Sequence, residues 1–131
     1  MIEKKDYLDL PNCVEISNEA ATLVISTDFG PRILFYGFTS GENILGLHPQ
    51  AKVETAIGEW RPYGGHRLWM APENMPLSYA PDNEKVEVTE ESDFSARFLA
   101  PVETATKIQK EIIVSLSETG SAANVEHRVT N

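Results

Sequence analysis

Alternation of apolar and polar residues along most of its length is what constrains this chain most. From Thr106 to Leu116, Ile108, Ile112, Val114 and Leu116 share one face, interrupted only by Lys110. Ala123, Val125, His127 and Val129 then alternate with Asn124, Glu126 and Arg128. A period of two is the mark of a strand with one face buried. The same pattern predicts strands over Asn12 to Ser17, with Val14 and Ile16 inward, and over Ala20 to Thr27, with Leu23 and Ile25 inward. It recurs at Val86 and Val88 within Lys85 to Thr89, and at Phe94, Ala96 and Phe98 within Phe94 to Ala100. Arg32 to Phe38, rich in aromatic and branched residues, reads as a further strand, with Asn43 to Leu47 as its short return. Asn18-Glu19, Asp28-Phe29-Gly30-Pro31, Thr39-Ser40-Gly41-Glu42 and Glu118-Thr119-Gly120-Ser121 supply the turns. No long amphipathic helix competes. About eight or nine strands joined mostly by turns predict an all-β chain, an antiparallel β-sandwich, with residues 1–131 as a single domain.

The alternation fails twice, from His48 to Trp60 and from Pro72 to Asn83. These runs read as loops, the first with room for one helical turn. Long loops on a strand scaffold commonly carry function. They flank the stretch densest in reactive groups, Tyr63-Gly64-Gly65-His66-Arg67-Leu68-Trp69-Met70-Ala71-Pro72-Glu73. The glycines permit a tight turn or a close ligand approach. His66 suits proton transfer near neutral pH, Arg67 offers a planar fork of donors, and Trp69 a flat apolar face. The mixture suits a ring-shaped, hydroxyl-rich ligand such as a sugar. The plainer alternative is a turn, two structural hydrogen-bonding groups and a core indole. Trp60 either lines the same cleft or anchors its loop. Arg32 either points into the site or pairs with one of the many carboxylates.

Composition narrows the partners. A net charge of −9 argues against nucleic acid and anionic membranes, which call for a basic surface. No apolar run approaches the roughly 20 residues of a membrane helix. Met1-Ile2-Glu3-Lys4-Lys5-Asp6 lacks the apolar core of a secretory signal. The single cysteine, Cys13, cannot form an internal disulfide and reads as a packing residue, so a cytoplasmic location is the default expectation. His48, His66 and Glu73 match no compact metal motif, so no metal site and no cofactor are expected. The acidic run Glu84 to Asp93 reads as a solvated strand edge.

Several stretches, taken in order, resemble the galactose-mutarotase-like, or aldose-epimerase-like, superfamily. Asn12 to Asn18 followed by Ala21 to Ile25 is similar to its opening hairpin, and Phe29-Gly30-Pro31-Arg32-Ile33-Leu34-Phe35-Tyr36-Gly37-Phe38 to its third strand. Glu42 to Leu45 fits the short return. Gly64-Gly65-His66-Arg67-Leu68-Trp69 with Ala71-Pro72-Glu73 is similar to a motif of an uncharacterised bacterial branch. Lys107 to Ile112 and Val125 to Asn131 fit two later strands. The resemblance implies a supersandwich that binds a sugar in a concave face, with histidine acids and a glutamate base that open and close the ring. Such members are about twice this long. The chain is therefore expected to be the N-terminal half of such a domain. His66 matches the first catalytic histidine, while the second histidine and the glutamate would lie past Asn131.

His127 does not take the second histidine's place; its position on an apolar strand face reads as a core or interface histidine. Glu73 is at best a substitute base, since its place after Pro72 differs from that of the family's glutamate. The leading functional expectation is a sugar-binding, aldose-epimerase-like protein. His66 would be the catalytic acid, with Arg67, Trp69, Glu73, Trp60 and Arg32 holding substrate. The runner-up is a binding module that has lost catalysis, or a structural half-sandwich that forms a homo-oligomer through open strand edges.

Overall fold

The computed structural model describes residues 1–131. Eleven strands form, all antiparallel, and no α-helix. They are β1 (Ile2–Tyr7), β2 (Leu10–Ser17), β3 (Ala21–Ile25), β4 (Arg32–Phe38), β5 (Val53–Thr55), β6 (Gly58–Trp60), β7 (His66–Arg67), β8 (Glu87–Ser92), β9 (Ser95–Leu99), β10 (Gln109–Leu116) and β11 (Ala123–Thr130). A five-stranded sheet runs β1-β2-β3-β4-β7 and a four-stranded sheet β11-β10-β9-β8; β5 and β6 make a separate hairpin. No helix is long and apolar enough to cross a membrane.

The two main sheets face each other as a sandwich. Val14, Ile16, Leu23, Ile25 and Ile33 from the first interleave with Ala96, Phe98, Ile112, Val114 and Leu116 from the second and with Val86 just before β8. Most of the expected inward residues thus form one core; Phe94, Ile108, His127 and Val129 stay outside it, and Lys110, the interruption, is buried in an ion pair with Glu103 at 2.6 Å. The first sheet is covered on its other face too. Cys13, Val24, Phe29 and Leu34 pack there beneath Tyr7, Leu10, Leu47 and Tyr63. That second cover explains why Val24 is buried although it alternates with Leu23 and Ile25. The Cys13 thiol is pushed up to about 11, by burial first and then by the Asp28 and Asp6 carboxylates, which leaves it an inert packing group.

Three local expectations differ from the fold. Asn43 to Leu47 is not a strand, because the Asn43 side chain replaces the pairing. Its Oδ1 accepts from the Tyr36 and Leu45 N–H groups at 3.1 and 3.0 Å, and its Nδ2 donates to the Leu34 carbonyl at 2.8 Å. The His48 to Trp60 loop holds the β5–β6 hairpin instead of a helical turn. The strand expected from Thr106 starts at Gln109, because Lys107 sits at φ +62° in a turn closed by its N–H to the Glu103 carbonyl at 2.8 Å.

Candidate functional site

Gly64 and Gly65 place the dense stretch. Both have left-handed φ, +88° and +72°. A Cβ on Gly64 would lie 2.2 Å from the Gly46 carbonyl oxygen, and one on Gly65 2.2 Å from that of Ile33. The chain therefore threads between the loop at 46–48 and the start of β4, where only glycine fits. The Gly65 N–H donates to the Gly46 carbonyl at 2.8 Å, and the His48 N–H to that of Tyr63 at 2.8 Å. The result is a two-residue strand, β7, with His66 opposite Ile33 and Arg67 opposite Arg32.

Because neighbours on a strand point to opposite faces, His66 and Arg67 part company. His66 follows Ile33 into the space between the sheets, and Leu68 packs on the main core behind it. There the half-buried His66 meets His127 of β11: their Nε2 atoms lie 2.8 Å apart, and the rings meet edge to edge with centroids 5.0 Å apart and planes 8° from parallel. Burial holds the His66 pKa below its ordinary value, with the neighbouring His127 imidazole adding to the effect. Neutral His66 then shares a single proton with its partner, one Nε2 donating and the other accepting. Neither imidazole contacts a carboxylate.

His127 shares the inward face of its strand, as its alternation predicts, yet it is exposed and not a core residue. β11 is the last strand of its sheet, and its His127 meets a residue of β7, the last strand of the other sheet. The sequence shows the face that His127 occupies but carries no signal for a partner 61 residues away in the other sheet.

Arg67 lies on the outer face of the first sheet. Its guanidinium carbon is 4.1 Å from the centre of the Trp69 ring and 5.3 Å from that of Trp60. Tyr79 meets Trp60 and Trp69 edge-on at 4.9 and 5.2 Å, and its hydroxyl donates to Glu73. Nη2 of Arg67 donates to the Ser78 carbonyl at 3.3 Å, while Nη1 and the Trp60 indole N–H have no hydrogen-bond acceptor. Indole faces supply most of what holds this cation, a cation–π arrangement. Burial, followed by repulsion from Arg32, lowers the Arg67 pKa to about 10, so it stays charged at neutral pH.

Arg32 is 0% exposed. One of its nitrogens, Nη2, donates to both Asp82 carboxylate oxygens at 2.9 Å, and the guanidinium lies 5.5 Å from the Tyr63 ring centre. Tyr63 in turn stacks on Phe29 at 3.8 Å. Arg32 is thus a buried ion-pair partner, the commoner of the two fates expected for it.

The structure therefore groups Arg67, Trp69, Trp60 and Glu73 on one side of the first sheet and sets His66 on the other. Two clefts of about 400 and 420 Å³ lie elsewhere. The first is lined by Gly30, Asp82, Glu103 and Lys110 among others, the second by Ile2, Val14, Val86 and Val88. Neither is lined by any of the six residues singled out in the sequence. No three His, Cys, Asp or Glu side chains gather in a way that would hold a metal ion. No protein-family model, curated protein or solved structure matches this chain.

The His66 environment sets a pH dependence. Unfolded His66 takes up a proton near 6.5, whereas the folded group resists it to lower pH. The native state therefore loses stability as pH falls through 6.5, and the loss levels off once folded His66 is itself protonated. Urea midpoints measured at about pH 7.5 and pH 5 should fall further for the native chain than for His66→Gln. Equal falls would show that His66 titrates as a free imidazole.

Proposed function

We propose that this chain is a carbohydrate-binding, aldose-epimerase-like protein. The sugar ring lies against His66 at the mouth between β7 and β11. The observation that carries this reading is the His66–His127 pair. It joins two proton-transfer groups at an open rim of the sandwich, where a sugar hydroxyl can replace either imidazole as hydrogen-bond partner. Arg67 and Trp69 belong to the other face; they contribute to sugar binding there only by stacking through Trp69, which is 40% exposed.

Ligand-detected saturation-transfer NMR against free aldoses and sugar phosphates tests this reading. Signal is expected for native protein and for Trp69→Ala, and its loss for His66→Ala. Anomer exchange no faster than in buffer is expected from the same samples. No transfer from any sugar to folded native protein overturns the reading.

A second reading, a half-sandwich that assembles through an open edge, is favoured by β11. All eight of its residues pair with β10, and no strand lies on its other side.

A further inference from the structure

Taken outward from His127, β11 is complementary to itself. Glu126 and Arg128 flank the centre, Val125 and Val129 come next, and Asn124 and Thr130 follow. An antiparallel copy that sets residue 127 against residue 127 therefore sets Glu126 against Arg128, Val125 against Val129 and Asn124 against Thr130. We propose that β11 is a homodimer interface, paired about a two-fold axis at His127, so that two four-stranded sheets join into one of eight strands. The proposal rests on the second reading above and supplies its partner, its strand and its register.

Charge and face select this register. A sheet continued across an edge keeps inward residues opposite inward residues, so the axis falls on a residue and not between two. An axis at Glu126 stacks carboxylate on carboxylate, and one at Arg128 stacks guanidinium on guanidinium; like charges directly opposite are destabilising. Axes at Val125 or Val129 avoid that clash but set Glu126 against Asn124 or Arg128 against Thr130, whereas at His127 every charged side chain meets its opposite. Glu126 and Arg128 already pair within one strand at 2.7 Å, and Arg128 lies 3.7 Å from Glu111. The second copy extends this into a network across the axis. Val129, 45% exposed in the single chain, gains an apolar neighbour in the partner's Val125. Charges in the middle of an edge ordinarily deter strand addition. Their order here deters other strands and admits a second copy.

Sedimentation velocity on the full chain tests this, with Glu126→Arg and Arg128→Glu prepared separately and then mixed. Native protein is expected at twice its 14.6 kDa chain mass. Each single variant, shown to be folded by circular dichroism, is expected to dissociate at least roughly tenfold more readily. An equimolar mixture of the two is expected to recover the dimer, because opposite charges again face each other at both positions. A native monomer overturns this proposal together with the second reading. A native dimer indifferent to both substitutions overturns the β11 register and leaves assembly through another edge standing. Two monomeric variants that fail to recover the dimer on mixing also overturn the register.

Discussion

Asp82→Ala is expected to destabilise the fold by about 3–5 kcal/mol, the usual cost of leaving one member of a buried ion pair unpaired. Arg32 is completely buried, and Asp82 is the only carboxylate that it contacts. Its Nε and Nη1 already lack acceptors. Arg67, directly opposite on the neighbouring strand, adds a second positive charge that the carboxylate helps to offset. Without Asp82, Arg32 keeps no carboxylate partner, and its repulsion of Arg67 loses its nearest offset. A fall in the urea midpoint at unchanged slope would measure the loss. Arg32→Met combined with Asp82→Leu should be less costly than Asp82→Ala alone, because removing both charges leaves none stranded. If the double variant is the less stable of the two, then the pair contributes more than the burial of its charges costs.

Gly65→Ala is the second substitution with a large expected effect. Its Cβ would meet the Ile33 carbonyl at 2.2 Å in a left-handed backbone. Strain of this kind costs about 1–3 kcal/mol, and here the clash is with backbone, which cannot swing aside. β7 should move off β4, taking His66 away from His127. In an NMR titration the His66 pKa should rise toward 6.5 as burial and the neighbouring imidazole are lost. Gly46→Ala is the control. Nothing lies within 4 Å of a Cβ there, so stability should change by no more than about 0.5 kcal/mol. An unaltered His66 titration in Gly65→Ala would mean that β7 is held by something other than the glycine fit.

The sandwich was legible where one face of a strand is buried and the other wet, because only then does burial write a period of two into the sequence. β4 runs from Arg32 to Phe38 as expected, and β11 covers the expected alternation at Ala123 to Val129. β1 was not legible: Glu3, Lys4, Lys5 and Asp6 are exposed on an edge strand, and edge strands tolerate charge. The β5–β6 hairpin is too short, three residues a side, to show any period. At the site, the residue types were legible and their division between faces was not. Irregular chain on both sides of residues 66–67 hid the fact that they form a strand at all. A strand of two residues is created by tertiary fit at Gly64 and Gly65, which no local pattern announces.

The order of pairing along the chain also bears on motion. β1 to β4 form one meander of successive hairpins and β8 to β11 another, so most pairing joins neighbours in sequence. Such short-range closures lose little loop entropy and form readily. β7 is the exception, returning to β4 across the long excursion from residues 39 to 65 and held there by only two residue pairs. It is therefore the strand of the first sheet whose release disturbs least, and amide exchange at His66 and Arg67 would outpace that of β3 beside it in the same sheet. The imidazole pair thus closes one rim of the sandwich with a clasp that can open while both meanders stay intact.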